Sequence, residues 1–284
     1  MSMDVAPQLR LPDLRFVPAE ALVPHEQHDQ SRSGPLVQAL REQGVLRNPP
    51  IVTPLGPDDQ RFVVLDGANR ATAAREAGLP HVVVQVVRYE DPGIRLTTWH
   101  HALAAEPPAE LERALGVIEG LACLETDLRH ARAVLARREA IAFVALPERR
   151  AITLHGGSEL DQRNAVLNAV VDSYRGRTRF YRVASDSLDD ARIEHPDVTA
   201  LIVFPHFEPD EILELATGGA RLPAGITRHV IPWRALRLNV PLERLADRNE
   251  TLAAKNRWLE EWLREKVHQR QVRFYQESTV LFDE

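Results

Sequence analysis

The sequence predicts an α+β protein in which two α/β units follow one another. Over the first hundred residues, short apolar runs alternate with segments that carry apolar residues at helical spacing. The same alternation resumes after a long helical stretch in the middle of the chain. With 284 residues, of which 44% are hydrophobic and 27% charged, the chain is long enough to bury the cores of both units.

The first unit reads as strand, helix, strand, turn, strand, helix and strand. Its two helices end at Gly44 and Gly78, and glycine is typical of the position that follows a helix. We predict strands at 14–17, 50–54, 61–66 and 82–89, and helices at 35–44 and 69–78.

The second unit follows a stretch rich in Ala, Leu, Glu and Arg over residues 108–140, which predicts a helix or helix pair broken near Gly116 and Gly120. Because this change of composition indicates a domain connection, we predict one domain over residues 1–104 and a second over residues 105–284. In the second domain we predict strands at 140–146, 150–155, 177–183, 200–204, 272–276 and 279–282, and helices at 161–174 and 249–269.

Charge, cysteine content and hydropathy exclude several classes of protein. The formal net charge of −6 argues against a general nucleic-acid binder, which would usually carry a basic balance or face. The single cysteine, Cys123, rules out an intramolecular disulfide and a multi-cysteine zinc site. No run of about 18 apolar residues occurs, so we predict no membrane span and expect a cytoplasmic protein.

The common nucleotide-binding and hydrolase motifs are absent from the sequence. There is no G-x-G-x-x-G and no Gly-Lys dipeptide, which excludes the standard dinucleotide fingerprint and the P-loop. There is also no G-x-S-x-G nucleophile motif. The segment His25-Glu26-Gln27-His28 is one residue shorter than the H-E-x-x-H zinc motif.

The most informative turn is 64–70, where a buried strand delivers an acid and a glycine to the start of a helix. Unpaired N–H groups and the positive end of the helix dipole accommodate phosphate there. Gly67 lets the backbone approach closely, Arg70 can bind phosphate oxygens, and Asp66 can hold Mg²⁺ or a hydroxyl group. The alternative is that Asp66 simply caps the helix.

This strand-D-G-x-x-R-helix pattern, preceded by the extended Pro-Ile-Val of 50–52, resembles the ParB/sulfiredoxin-like nucleotide-binding domain. Sulfiredoxins need a reactive cysteine, but Cys123 lies outside this unit. ParB proteins continue into a basic helix-turn-helix reader, whereas this chain continues into an acidic α/β unit. The free L-serine kinases, including the type associated with siderophore biosynthesis, are more similar. Their similarity extends over 22–26, 46–52, 64–70, 96–101, 170–176 and 222–242, and over 258–263 and 275–284 at the end of the chain.

The resemblance implies that the protein transfers the terminal phosphoryl group of ATP or ADP to the hydroxyl of free L-serine, with Mg²⁺, giving O-phospho-L-serine. Glu26 would be the catalytic base, and Asp66 would bind Mg²⁺ or orient the serine hydroxyl. The phosphate cradle would consist of Gly67, Ala68, Asn69 and Arg70. Ala68 and Asn69 stand where related kinases often carry histidine, so this sequence departs from the family pattern there, and Asn69 can still donate a hydrogen bond.

For the amino-acid substrate, the resemblance implies two further segments. Thr98 and Trp99, with His100 or His101 beside them, match the Thr-Trp pair near the serine site. In the second domain, Thr227, Arg228 and His229 match an element that closes over the substrate. A guanidinium binds a carboxylate or a phosphate through two hydrogen bonds, which suits Arg228 to either group.

Other interpretations stay open from the sequence. The acceptor could be a close analogue such as threonine or homoserine, and either ATP or ADP could be the donor. A different class of function is a ParB-like nucleotide-binding regulator that responds to DNA or haem without turning over a small molecule. Trp258 and Trp262 lie four apart on a predicted helix and indicate a packing stripe, which could serve a monomer or a homodimer.

Overall fold

Two separate sheets organise the chain and confirm the predicted α+β class. The structure is a computed structural model that describes residues 11–27 and 30–275. A five-stranded sheet forms from the first 86 residues, and a six-stranded sheet forms from residues between 100 and 203. Within the described residues, no helix is both long and apolar enough to cross a membrane.

The described residues of the first part of the chain form six strands and two α-helices. The strands are β1 (Asp13–Pro18), β2 (Leu22–Pro24), β3 (Val45–Leu46), β4 (Ile51–Pro54), β5 (Phe62–Asp66) and β6 (His81–Val86), and the helices are α1 (Gln30–Gln43) and α2 (Ala68–Glu76). The sheet order is β1-β6-β4-β5-β2, and β2 runs parallel to β5 with Pro24 opposite Val64. Because parallel strands end at the same edge of a sheet, Glu26 and Asp66 leave the sheet close together.

The second part of the chain holds nine strands and seven helices among the described residues. The strands are β7 (Arg95–Thr98), β8 (His100–Ala104), β9 (Ala122–Asp127), β10 (Ala142–Ala145), β11 (Arg150–His155), β12 (Phe180–Val183), β13 (Val198–Val203), β14 (Thr227–Val230) and β15 (Val240–Pro241). The helices are α3 (Pro108–Gly116), α4 (Leu128–Ala136), α5 (Leu160–Asp172), α6 (Leu188–Glu194), α7 (Pro209–Thr217), α8 (Leu242–Ala246) and α9 (Leu252–His268). The six-stranded sheet has the order β12-β8-β13-β10-β11-β9 and is antiparallel throughout.

The end of the described chain returns to the first sheet. Strand β14 pairs with β7, and β15 pairs with β3. Helix α9 packs on β1, where the Asn256 side chain accepts a hydrogen bond from Phe16 N and donates one to Phe16 O. Leu259 and Leu263 of α9 are buried in the core of the first sheet, as expected for a packing stripe. The predicted domain boundary at residue 104 stays a prediction. Strand β8, which precedes this boundary, lies in the second sheet, and helix α9, which follows it, packs on the first sheet.

Some predicted elements differ from the structure. The predicted helical stretch over 108–140 contains the strand β9, which pairs only with β11 at the edge of the sheet. Its side chains are mostly exposed, so the sequence of β9 lacks the alternation of apolar and polar residues that predicts a half-buried strand. The strand predicted at 272–276 is wrong over 272–275, which has no regular structure. Residue 276 and the strand predicted at 279–282 lie outside the described residues.

Candidate active site

A cavity of about 1010 Å³ opens where β2 and β5 end. One wall consists of His25, Glu26 and the phosphate turn, which we define as residues 66–70. The opposite wall comes from the last third of the described chain, at residues 224–231 and 234–236. The cavity therefore combines the predicted catalytic and phosphate-binding segments with the predicted substrate-binding strand.

The phosphate turn has the backbone that a close ligand approach requires. Gly67 has φ 87° and precedes the first residue of α2, and no side chain caps this helix. A Cβ at this position would meet only the Arg70 guanidinium, the movable end of a flexible side chain, so it is the backbone conformation that calls for glycine. Asp66 is therefore not the cap of α2, and the first turn of the helix faces the cavity without a side-chain cap.

Two arginines bind the Asp66 carboxylate. Arg70 donates a hydrogen bond to Asp66 Oδ2 at 3.0 Å and also reaches the carbonyl oxygens of Asn48 and Pro49. Arg234, from the opposite wall, pairs with the same Asp66 oxygen. Two guanidinium groups thus lie at the phosphate turn, and guanidinium groups are suited to binding phosphate oxygens.

The described residues offer a limited donor set for a metal ion. No group of three or more His, Cys, Asp or Glu side chains with metal-binding geometry occurs among them. The Asp66 carboxylate, 40% exposed, lies at the phosphate turn. Magnesium is commonly bound by one or two carboxylates together with substrate phosphates and water, and a single aspartate beside a candidate phosphate site fits that mode.

The Glu26 carboxylate is held by three hydrogen bonds from the opposite wall. Its Oε2 accepts from Gly225 N at 2.7 Å, and its Oε1 accepts from Thr227 N at 2.7 Å and from Thr227 Oγ1 at 2.5 Å. The backbone adds a bridge, because Gln27 N donates to Leu222 O and Leu222 N donates to His25 O. With 15% of its side chain exposed, Glu26 is fixed in orientation but still reaches the cavity.

Strand β14 presents Thr227, Arg228 and His229 to the cavity. The Arg228 guanidinium lies over the Trp99 ring, 4.4 Å from its centroid. The backbone of Trp99 is held in turn, because its amide N–H donates a hydrogen bond to Ile226 O. The indole and the guanidinium together form a flat, positively charged patch within the cavity.

His229 lies deeper, against the first sheet. Its Nε2 lies 2.9 Å from the Tyr89 hydroxyl, and its ring packs edge-on against His25 with 5.2 Å between centroids. Burial lowers the pKa of His229 well below its usual value, and the neighbouring His25 acts in the same direction. His229 is therefore a neutral side chain at physiological pH.

Thr98 and His100 do not line the cavity. Thr98 Oγ1 donates to Pro205 O at 3.0 Å, and Phe204 N donates to His100 Nδ1 at 3.2 Å. Burial lowers the pKa of His100 to about 4. Side chains of successive residues in extended chain point to opposite faces, so Trp99 faces the cavity while its two neighbours face the core of the second sheet. The structure thus brings together ten of the twelve predicted site residues, all except Thr98 and His100.

Several cavity residues were not predicted from the sequence. His25 precedes Glu26, Arg182 of β12 lies beside Gly225, and Arg234 reaches the phosphate turn. The dipeptide His25-Glu26 after an extended segment is a signal that could have drawn attention to His25. Nothing local distinguishes Arg182 or Arg234 from the many other arginines of this chain.

Curated proteins similar in sequence are serine kinases. An ATP-dependent L-serine kinase of Staphylothermus marinus is 24% identical over 81% of this chain and 90% of its own length. The ADP-dependent L-serine kinase SerK of Thermococcus kodakarensis is 23% identical over 86% of this chain and its full length. No protein-family model matches the chain.

Solved structures show the same fold over most of the chain. A free serine kinase in complex with AMP has a TM-score of 0.71 at 19% identity and covers 83% of this chain and 95% of its own. SbnI of Staphylococcus aureus, with a C-terminal truncation, has a TM-score of 0.71 at 22% identity and covers 89% of this chain and 97% of its own. The predicted resemblance to the free L-serine kinases is confirmed.

Proposed function

We propose that this protein is a kinase of free L-serine that forms O-phospho-L-serine from ATP or ADP. The observation that carries the proposal is the geometry of Glu26, whose carboxylate is oriented by Gly225 and Thr227 in the same cavity as the phosphate turn. Curated relatives named L-serine kinases, matched along most of their length, support this chemistry.

The proposed reaction is an in-line transfer. The serine hydroxyl oxygen forms a bond to the terminal phosphorus while the bond from that phosphorus to the bridging oxygen breaks, and the nucleotide leaves one phosphate shorter. Glu26 takes the hydroxyl proton, so the nucleophile gains electron density as the new bond forms. Holding both reactants in one cavity removes the entropic cost of bringing them together in the transition state.

We assign the polar and charged groups around the cavity to one of the two substrates, the nucleotide or serine. Asn69 and the N–H groups that begin α2 would bind the donor phosphates, with Arg70 and Arg234 supplying positive charge. Asp66 would hold Mg²⁺ together with those phosphates, and the bound ion would neutralise charge on the transferring group. Arg228, supported by Trp99, would bind the serine carboxylate.

The test follows O-phosphoserine by phosphorus NMR with L-serine, Mg²⁺ and either ATP or ADP. We expect product with at least one donor, and a rate for E26Q that is lower by about 10²–10⁴, the usual contribution of a general base. The exposed Glu20 provides the matched control, because E20Q removes a carboxylate outside the cavity.

Two outcomes would contradict the proposal. Absence of product with both donors would exclude free serine as the acceptor under these conditions. Product formation by E26Q at the wild-type rate would remove Glu26 from the mechanism. Turnover of threonine or homoserine at a higher rate than serine would keep the chemistry and change the acceptor.

A further inference from the structure

His25 is buried beside Glu26 and belongs to no step described above. Its ring is 5% exposed, with Nδ1 2.6 Å from Val64 O and Nε2 2.7 Å from Thr227 Oγ1. A backbone carbonyl only accepts hydrogen bonds, so Nδ1 carries a hydrogen and donates it to Val64. The protonation of His25 therefore depends on what Nε2 does.

The Thr227 hydroxyl lies between two partners and has one hydrogen. It is 2.7 Å from His25 Nε2 and 2.5 Å from Glu26 Oε1, so both separations are hydrogen-bonding distances. Two hydrogen bonds need two hydrogens, and the second must reside on either Nε2 or Oε1. His25 and Glu26 thus share one proton through Thr227.

The shared proton can reside on His25 or on Glu26, and the net charge of the three side chains is the same in both forms. In one form His25 is an imidazolium that donates to Thr227, and Thr227 donates to the Glu26 carboxylate. In the other form Glu26 is a carboxylic acid that donates to Thr227, and Thr227 donates to a neutral imidazole. Only the first form leaves Glu26 able to accept a proton from a substrate.

The surroundings favour the imidazolium form. Glu26 already accepts N–H hydrogens from Gly225 and Thr227, and such bonds stabilise a carboxylate. His25 Nε2 lies 4.0 Å from Glu26 Oε1, so the two charges compensate each other. The ring that packs against His25 is His229, which is neutral and adds no opposing cation.

We propose that His25 is a positioning residue that acts through the Thr227 hydroxyl to keep Glu26 ionised and oriented. We name these three side chains the relay. The proposal rests on the proposed function only in assigning a catalytic consequence, because the shared proton follows from the hydrogen bonds alone. The charged and titratable groups that face the relay are His229, Arg228, Tyr89 behind His229, Arg182, and the cluster of Asp66, Arg70 and Arg234.

The direct test measures the protonation of His25 in the full-length protein, without turnover. Nitrogen-15 NMR of the histidine side chains locates His25 by its loss in H25N. At pH 7 we expect both ring nitrogens of wild-type His25 to be protonated. In T227V and E26Q we expect Nε2 to lose its proton at lower pH, whereas T227S retains the relay. A neutral His25 in the wild-type protein at pH 7 would overturn the proposal.

The kinetic test separates positioning from simple structural support. We expect H25N and T227V each to lower kcat by about 10–100-fold, with KM for serine and for the nucleotide within about threefold of wild type. Because the imidazolium favours ionised Glu26, its loss should move the acid limb of kcat to higher pH. The double variant that combines H25N and T227V should have a kcat no lower than that of the slower single variant, because each substitution alone already breaks the same relay.

Controls keep the outcomes distinct. T227S should restore most of the kcat that T227V loses, and H130N removes an exposed histidine outside the cavity. If H25N misfolds, T227V still breaks the relay while leaving the bond from His25 to Val64. Wild-type kcat and acid limb in folded H25N would refute the relay. Absence of O-phosphoserine from the wild-type protein would instead refute the proposed function, and the NMR result would still stand.

Discussion

Arg228 is the residue that we propose to bind the serine carboxylate, and its position beside an aromatic ring suits that role. Its guanidinium lies over the Trp99 ring, 4.4 Å from the ring centroid, and both residues line the cavity. A planar guanidinium with two parallel donors matches a carboxylate, whereas the ammonium of lysine provides a point charge. The identity of this residue therefore matters beyond its charge.

We predict that R228K raises KM for serine by about 10–100-fold, the effect of losing a charge-assisted bidentate pair worth about 1.5–3 kcal/mol. The KM for the nucleotide should change little, because Arg70 and Arg234 provide the charge at the phosphate turn. Steady-state kinetics with each substrate varied separately measure both values. Arg179, which lies over the Tyr181 ring at 4.8 Å and outside the cavity, is the matched control as R179K. An unchanged KM for serine in R228K would exclude the assigned contact.

At the scale of elements, one buried glutamine joins the last segment of the cavity wall to the first sheet. Gln85 of β6 is 2% exposed, and its side chain donates to Trp233 O at 3.1 Å and accepts from Ala235 N at 2.9 Å. This pair of bonds fixes the backbone of Trp233 and Ala235, on either side of Arg234, whose side chain reaches the phosphate turn. The position of Arg234 therefore depends on a buried side chain of the first sheet.

We predict that Q85M lowers the free energy of unfolding by about 1–3 kcal/mol, because two backbone groups lose their partners. It should also raise KM for the nucleotide several-fold, since residues 234–236 line the cavity. Denaturant unfolding and steady-state kinetics measure the two effects. Q269M, which alters an exposed glutamine after α9, should change neither. A loss of stability without any change in nucleotide KM would show that the segment does not position the donor.

The elements also show what sequence patterns could and could not predict. The strands at 14–17 and 61–66 and the helix at 161–174 were predicted within a few residues, because each buries an apolar face of the right period. The three-residue strand β2 was missed, since its place is set by pairing with β5. Short β7 was missed for a similar reason, because its partner β14 lies more than a hundred residues later.

The same reasoning applies to the candidate site. The phosphate turn was predictable, because an acid, a glycine and a helix start lie side by side in the sequence. The partners of Glu26 were not, since Gly225 and Thr227 meet it only through tertiary structure. Thr98 and His100 were predicted with Trp99 from one motif, but alternation along the extended chain turns them towards the core of the second sheet.

Across the whole molecule, buried histidines link stability to pH. Burial lowers the pKa of His100 to about 4 and that of His101 to about 3, from an ordinary value of 6.5. His101 lies in the second core, where Tyr174 donates to its Nδ1 at 2.8 Å and its Nε2 donates to Gly225 O at 3.3 Å. Below pH 6.5 the unfolded chain takes up protons that the folded chain does not, so stability falls as the pH falls.

We predict a loss of about 2 kcal/mol for each of these two histidines between pH 7 and pH 5. The contribution of His100 to this loss should level off near pH 4 and that of His101 near pH 3, where each folded histidine accepts a proton. Denaturant unfolding at each pH measures how much the free energy of unfolding differs between pH 7 and pH 5. H101N should reduce this difference by about 2 kcal/mol, the contribution of one histidine, even where the substitution also changes the stability at pH 7. H130N, which changes an exposed histidine, should leave the difference unaltered. A wild-type stability that is equal at pH 7 and pH 5 would contradict the prediction.

Glu26 and the groups that orient it are 199 and 201 positions apart along the chain. A ribosome that has completed the first sheet has made the phosphate turn and the carboxylate, but has not yet made either N–H group that holds Glu26. Translation products that stop before residue 225 therefore lack a finished site, although their first sheet contains its most recognisable motif. On the proposed function, the cell gains no serine phosphorylation from such unfinished chains, and activity begins only when the last third of the chain has folded.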